Sequence, residues 1–408
     1  MKCGLLGRKL GHSYSPQIHA HLGSYDYSLF EKEPEEVENF LKHGDFSAIN
    51  VTIPYKKTVL PFCQELSPVA KKMNAVNTIV RKSDGSCVGH NTDYFGFSYT
   101  LKHMGISPSG KKALVFGSGG ASNTAVSVLQ DLNANVVVIS HGENTPQTWE
   151  LHPDARILVN ATPEGMYPKN GSSPADLTYF PKLEAVVDMI YNPARTHLLL
   201  DAEKLGIPAE NGLRMLVSQA KESAEWFLGH TLPDELIEKI YRQLKLQMEN
   251  IILIGMPGSG KTTIGRLLSQ KLGKTFVDAD EILAQNYGMS PSEILKTKGE
   301  PVFRTMETAV LEALGKESGL ILSTGGGCVT RKENYPLLHQ NGTIFGIQRE
   351  LDKLSTQDRP LSQNGKLNAL FQSRKPMYQK FADHFIDNNT TVENAVDQIL
   401  TRLNWEEL

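Results

Sequence analysis

Cysteine is scarce in this sequence. There are 4 among 408 residues (Cys3, Cys63, Cys87 and Cys328), and no pair has CxxC or metal-ligand spacing. That excludes a disulfide framework and predicts reduced thiols in a cytoplasmic protein. Long apolar runs are also missing, and none approaches the ~20 residues a membrane span needs. Arg8 and Lys9 interrupt the apolar stretch Cys3–Leu6, so no secretory signal is expected. Neither sign of charge dominates: 42 Lys and Arg face 45 Asp and Glu, a net charge of −3. Nothing there offers a basic face to nucleic acid. The expected partners are therefore small molecules, with neither nucleic acid nor membrane among them. Repeats and low-complexity segments are absent as well. What is present is ordinary globular composition, 40% apolar and 21% charged. At roughly 100–200 residues per domain, the length predicts about two to four domains.

Short apolar runs alternate with helical spacing along the chain, which predicts an α/β class with parallel sheets. The strand candidates are Ala48–Ile53, Ala113–Phe116, Val136–Ile139, Leu158–Ala161, Ala185–Met189, Ile251–Ile254 and Leu320–Ser323. Two of them run into glycine-rich turns: Gly117-Ser118-Gly119-Gly120, and Gly255 through Thr262. The Pro233–Leu246 stretch has helical spacing, and a new strand follows almost at once, so a main boundary is placed near Gln247. The predicted divisions are 1–104, 105–247 and 248–408, with Met104–Lys112 as the turn between the first two.

The second turn, Gly255-x-x-x-x-Gly260-Lys261-Thr262, matches the P-loop pattern in the required strand–turn–helix context. Glycines let backbone N–H groups face phosphates with no Cβ in the way. Gly258, Ser259, Gly260, Lys261, Thr262 and Thr263 are the candidate ATP-binding residues. Lys261 is expected to reach the β- and γ-phosphates, with the Thr262 hydroxyl on Mg²⁺. Downstream, Asp278-Ala279-Asp280, the segment Gly299–Glu307, Gly325-Gly326-Gly327, Arg359-Pro360-Leu361 and Arg374–Tyr378 follow in order. Each resembles a motif of the shikimate kinases, and together they cover essentially residues 248–405. The resemblance implies that Asp280, Gly326 and Gly327 bind shikimate and that Arg304 and Arg374 clamp its carboxylate. It implies Asp278 beside Mg²⁺ or the attacking hydroxyl, and Arg359 on a lid over the transferring phosphoryl. A guanidinium fork suits a carboxylate as lysine does not. The stretch Gln348–Asp358 before the lid is short for the family.

The first part of the chain resembles the shikimate dehydrogenases over residues 1–230. His12-Ser13-Tyr14-Ser15-Pro16, Asn50–Lys56, Asn77-Thr78, Asn91-Thr92-Asp93, Asn160–Met166, Asp188–Pro193 and Asn211–Gln219 carry the likeness. It implies Lys56 and Asp93 as the catalytic pair, since reducing a ketone needs a proton donor at the developing alkoxide. It implies Ser13 and Ser15 on the substrate carboxylate, and Thr52, Asn77, Tyr191 and Gln219 around the ring. NADP is the implied cofactor, held by Gly117, Ser118, Gly119, Gly120, Ala121, Asn160, Thr162, Met189 and Gly212. On local grounds Ser15 also reads as a helix N-cap with Pro16 as the first helical residue, and Asp93 as an N-cap of Tyr94–Met104.

The chain departs from the family at the end of the second nucleotide-lobe strand. Val138-Ile139-Ser140-His141-Gly142 carries no arginine for a 2′-phosphate, and Glu143 is displaced from the position that grips a 2′-hydroxyl. NAD is thus the alternative cofactor. Ala20 after His19 leaves quinate as an alternative substrate. The expected architecture is α/β: a two-lobed dehydrogenase with a Rossmann nucleotide lobe, fused to a P-loop kinase domain with a parallel sheet. The expected function is NADP-dependent reduction of 3-dehydroshikimate, then ATP-dependent phosphorylation of shikimate. A nucleotide-binding regulator without turnover is the alternative from another class; the joint presence of Lys56, Asp93, Lys261, Asp278 and Arg359 argues against it.

Overall fold

Val-, Ile- and Leu-rich runs form the strands, and most are joined by helices that return the chain for the next parallel strand. The computed structural model describes residues 1–11, 13–354 and 367–404. The chain divides into two units: Met1–Tyr191 with Leu198–Arg242, and Asn192–His197 with Gln243–Leu408. Among the described residues, no helix is long and apolar enough to cross a membrane.

The first unit holds two sheets. One contains β1 (Lys2–Gly7), β2 (Asp26–Glu31), β3 (Ala48–Val51), β4 (Glu65–Leu66), β5 (Thr78–Arg81) and β6 (Cys87–His90). Their order is β2-β1-β3-β5-β6-β4. β1 is parallel to β2 and β3, whereas β5 is antiparallel to β3 and to β6. This sheet is therefore mixed. β5 and β6 are antiparallel because the tight turn Lys82–Ser86 joins them, closed by the Lys82 N–H on the Ser86 carbonyl at 2.8 Å, with Gly85 at φ 86°. Asp84-Gly85 between apolar stretches is a hairpin signal.

The other sheet contains β7 (Lys112–Phe116), β8 (Asn135–Ile139), β9 (Ile157–Asn160), β10 (Ala185–Asp188) and β11 (Ala209–Glu210). All pairs are parallel, in the order β11-β10-β9-β7-β8. Strand order reverses at β7, and open parallel sheets bind ligands beyond the carboxyl ends of their strands at such a reversal.

Among its described residues, the second unit has one parallel sheet: β12 (Asn250–Gly255), β13 (Thr275–Asp278), β14 (Leu320–Ser323), β15 (Gly342–Gln348) and β16 (His384–Asp387). The order is β13-β14-β12-β15-β16. β12 is central and buried along its whole length. Alternate residues serve opposite faces: Ile252 and Ile254 pack with Leu283, Phe303 and Leu311, while Ile251 and Leu253 pack with Ile264, Leu268 and Ile399. Burial on both faces is why this strand reads as an unbroken apolar run.

Two cap assignments are corrected. The helix Ser15–His19 has Tyr14 as its N-cap, and Ser15 is its first residue. The Ser13 hydroxyl accepts the Ser15 N–H at 3.2 Å, so Ser13 performs the local task expected of Ser15. Likewise Thr92 precedes the helix Asp93–His103 and Asp93 opens it. The Asp93 N–H is met by Asn91 Oδ1 at 3.2 Å. Its carboxylate is therefore available for other partners.

Two candidate active sites

In the first unit, Lys56 lies in the turn after β3, where its carbonyl accepts the Val76 N–H at 2.8 Å. Its Nζ reaches Asp93 Oδ2 at 2.5 Å. Asn77 donates to the other Asp93 oxygen at 2.9 Å and accepts the Thr92 N–H at 2.8 Å. Both carboxylate oxygens are thus fixed. The Lys56 and Asp93 side chains keep 29% and 16% of their surface, so a ligand can reach them.

Behind this pair runs a buried polar network that the sequence reading missed. Asn50 donates to Ser223 at 2.8 Å, and Ser223 also meets Thr78 at 2.8 Å and Thr92 at 2.9 Å. Gln219, one helical turn before Ser223, shares the Thr92 hydroxyl at 3.4 Å. Tyr27 donates to Asn50 at 2.7 Å and is bonded to Ser15. Hydroxyls therefore connect Ser15 to the Asn77–Asp93 pair. His19 stacks on Tyr27 at 4.1 Å between ring centres, and burial pushes its imidazole down to about 3, so it stays neutral. Thr52 is half-buried at the end of β3, its N–H on the Leu6 carbonyl. Tyr191 meets Tyr14 edge-on at 6.2 Å, and burial raises both phenols.

Beyond β7, Gly117 adopts φ 111°, and a Cβ there would lie 2.9 Å from the Ala161 carbonyl oxygen. Gly119 caps the helix Gly120–Asp131. Open space surrounds Gly119 and Gly120, and Ser118 and Ala121 are exposed beside them. A helix N-terminus with bare glycines suits a pyrophosphate. Asn160 accepts the Thr162 N–H at 3.0 Å and its O–H at 2.7 Å and donates to Asp188 at 3.0 Å. Both side chains thereby build the loop after β9. Gly212 lies against Met189, where a Cβ would fall 2.2 Å from the Met189 carbonyl oxygen. At the end of β8, Ser140 donates from its hydroxyl to Glu143 at 2.6 Å, which holds that carboxylate below its usual range.

In the second unit, Gly255, Gly258 and Gly260 all adopt positive φ, and Gly260 caps the helix Lys261–Leu272. Ser259 is fully buried, its carbonyl accepting from Asn388 at 2.7 Å. Lys261 folds back on the carbonyls of Gly255 and Met256 at 3.0 and 3.1 Å. Thr263 is exposed one step along the helix. Thr262 donates to Asp278 at 3.0 Å. Asp278 caps the helix Ala279–Tyr287 by accepting the Asp280 N–H at 3.1 Å. One hydroxyl and one carboxylate suit Mg²⁺, which keeps several waters and takes its other oxygens from phosphates. Among the described residues there is no cluster of three or more His, Cys, Asp or Glu able to hold a metal by themselves.

A cavity of about 760 Å³ joins this loop to Asp280, Arg304, Glu307, Gly325, Gly326, Gly327 and Arg374. Arg304 and Arg374 are 6% and 5% exposed. Arg304 bonds Glu307 at 2.8 Å and Glu300 at 3.0 Å, and Arg374 donates to the Gly326 carbonyl at 3.0 Å. Tyr378 donates to the same carbonyl at 2.5 Å. Glu307 was visible only as part of a motif. Burial raises its carboxyl, with Asp280 adding to the rise and Arg304 and Arg374 opposing it. Its Oε1 has no hydrogen-bond partner among the described residues. The triple glycine has a steric cause: a Cβ on Gly327 would sit 2.1 Å from the Arg304 guanidinium. Arg359 lies outside the described residues.

Residues 257–404 match the shikimate kinase family, and residues 5–79 match the substrate-binding domain of shikimate dehydrogenase. A shikimate dehydrogenase (NADP(+)) of Caldicellulosiruptor saccharolyticus is 36% identical over 257 residues, 55% of this chain and 92% of that protein. That of Clostridium perfringens is 34% identical over 266 residues, 59% of this chain and 97% of that protein. Among solved structures, a chorismate mutase/shikimate 5-dehydrogenase fusion protein from Clostridium acetobutylicum superposes with a TM-score of 0.55 at 35% identity, covering 60% of this chain and 97% of that one. Shikimate 5-dehydrogenase from Thermus thermophilus, in complex with NADP(H) and shikimate, gives 0.54 at 30% identity, over 60% of this chain and 99% of that one. A quinate dehydrogenase from Corynebacterium glutamicum, in complex with NAD, gives 0.52 at 26% identity, over 60% of this chain and 98% of that one. The chain belongs to the shikimate dehydrogenase family in its N-terminal part and carries a shikimate kinase domain in its C-terminal part.

Proposed function

We propose that this chain carries out two consecutive reactions in the cytoplasm: reduction of 3-dehydroshikimate to shikimate, then phosphorylation of the new 3-hydroxyl to shikimate 3-phosphate. The observation that carries the reading is the Lys56–Asp93–Asn77 constellation in one unit and the Lys261–Thr262–Asp278 constellation, opening on buried Arg304 and Arg374, in the other. Two acid-binding, nucleotide-binding sites on one chain fit a product that becomes a substrate. Four free cysteines, three of them buried, fit a reducing compartment.

In the first reaction NADPH supplies the hydride. Lys56 donates a proton to the carbonyl oxygen as it becomes an alkoxide, and Asp93 orients the ammonium. Ser13 and Ser15 bind the ring carboxylate, while Thr52, Asn77 and Gln219 bind hydroxyls. In the second reaction Arg304 and Arg374 neutralise the carboxylate in a desolvated pocket. Asp280 takes ring hydroxyls, and Asp278 receives or orients the proton of the attacking hydroxyl. Thr262 and Asp278 would hold Mg²⁺ on the ATP phosphates, where it offsets developing charge.

NAD is a second reading for the first reaction. It is favoured by Glu143, whose carboxylate is tied to Ser140 beyond β8 and would repel a 2′-phosphate.

The test is a coupled assay with dehydroshikimate, MgATP and either NADPH or NADH. Lys56→Ala should lower ketone reduction by about 10²–10⁴-fold and leave shikimate phosphorylation intact. Lys261→Ala should do the reverse. Wild-type protein that oxidises neither nucleotide would remove the first half of the proposal, and protein that forms no phosphate from shikimate and MgATP would remove the second. Faster turnover with NADH would select the second reading.

A further inference from the structure

Arg349 is the first residue after β15, at the carboxyl end of the strand next to the one that carries the P-loop. β15 pairs with β12, and Ile347 stands opposite Gly255. The two chains approach closely there, since a Cβ on Gly255 would lie 2.6 Å from the Ile347 carbonyl oxygen. Arg349 is thereby carried beside the phosphate loop. Its Nη1 lies 3.8 Å from where a Cβ of Gly260 would be.

Among the described residues, no acidic side chain forms an ion pair with the guanidinium, and its Nε is buried with no hydrogen-bond partner. Its neighbour Glu350 is already engaged by Lys353 at 2.8 Å. A partly desolvated cation without a partner is unfavourable unless an anion joins it. The adjacent P-loop is a row of backbone donors shaped for such an anion. A guanidinium fork also matches phosphate oxygens bidentately.

The side of the loop on which Arg349 sits assigns its role. Arg304, Arg374 and Asp280 line the 760 Å³ cavity, where the acceptor would be phosphorylated; Arg349 does not. It lines a separate cavity of about 250 Å³ on the other flank of Gly255 and Met256, together with Lys375 and Asn389. The residue before Asn389, Asn388, is itself tied to the loop through the Ser259 carbonyl at 2.7 Å. Arg349 thus approaches the loop from the flank opposite the Asp280, Arg304 and Arg374 cavity.

We propose that Arg349 is a nucleotide-binding residue of the kinase site, pairing with the non-transferred phosphates of ATP and retained by ADP. It therefore contributes to ground-state affinity and leaves the chemical step unchanged. This rests on the kinase reading above, and the experiment separates the two claims. Dissociation constants for MgADP are measured by calorimetry on full-length wild type, Arg349→Ala and Arg349→Lys, alongside kcat and KM for ATP and for shikimate. Arg349→Ala should weaken MgADP by about ten- to a hundred-fold, as loss of a charge-assisted phosphate contact does. KM for ATP should rise in parallel, kcat should stay within about twofold at saturation, and Arg349→Lys should recover part of the loss. An unchanged KM for shikimate in the phosphorylation reaction certifies an intact kinase fold in the variants. Wild-type protein that fails to bind MgADP would refute the kinase reading. Wild type that binds it, with Arg349→Ala equal to it in affinity, would refute the role of Arg349 alone. A fall in kcat with MgADP affinity preserved would also refute it, by placing the guanidinium on the transferring group.

Discussion

At the scale of single residues, close approach decides more than side-chain chemistry. Gly327 shows this. It has no catalytic atom, yet it creates the space in which the Arg304 guanidinium lies. Replacing it with alanine puts a methyl group 2.1 Å from Nη2, and Arg304 must move because backbone cannot. Arg304 is also bound to buried Glu307, so the shift disturbs a pair that has little room to relax. Gly327→Ala should therefore raise KM for shikimate in the kinase reaction by about ten- to a hundred-fold, the worth of a charge-assisted contact. KM for ATP and the whole dehydrogenase reaction should be unchanged. Steady-state kinetics with each substrate varied in turn checks this, and an unaltered shikimate KM would show that Arg304 does not touch the acid. Residue roles were legible in the sequence where a motif packs several of them together, as in Gly325-Gly326-Gly327. They were not legible for Asn50, Thr78 and Ser223, which converge from three distant segments into one network. Nothing in local spacing marks such a cluster. Arg349 escaped for a related reason, since what singles it out is the lack of a partner among the described residues, and that is visible only in space.

Among helix pairs of the dehydrogenase unit, Asp93–His103 and Leu213–Leu228 make the most extensive contact. Gly96 permits it: a Cβ there would meet the Met215 carbonyl oxygen at 2.8 Å. One helix presents Asp93 and the other presents Gln219 and Ser223, so the spacing between the helices sets the spacing across the site. Gly96→Ala adds helix propensity but forces the helices apart, and the overpacking term of about 1–3 kcal/mol outweighs a propensity gain of about 1 kcal/mol. The variant should lose kcat in ketone reduction by roughly tenfold or more, with phosphorylation of added shikimate unaffected. Wild-type reduction rates would show that the helix pair does not position the site. Strands were the most legible elements: each of the seven named candidates corresponds to an observed strand, with ends shifted by at most two residues. Buried parallel strands announce themselves as apolar runs. The mixed character of the first sheet went unread because β5 and β6 carry polar residues such as Arg81 and His90, and only the Asp84-Gly85 pair betrayed the hairpin.

For the molecule as a whole, the separate cores of the two units have a thermodynamic consequence. Each sheet system has its own apolar clusters, those around Ile49 and Leu114 in one unit and that around Ile252 in the other. A ligand stabilises only what it binds, by about 2.7 kcal/mol at a hundredfold excess over Kd. NADP⁺ should therefore raise a transition belonging to the first unit, and MgADP one belonging to the second. Shikimate is the informative ligand, because the proposed sequence makes it product of one site and substrate of the other. It alone should raise both transitions, by about 2–4 °C per kcal/mol for units of this size. Lys56→Ala and Lys261→Ala provide controls that leave the cores untouched. Differential scanning calorimetry with each ligand in turn checks the assignment. Shikimate moving only one transition would mean that only one pocket accepts the ring acid. The two reactions would then no longer share an intermediate, even if each unit kept its nucleotide.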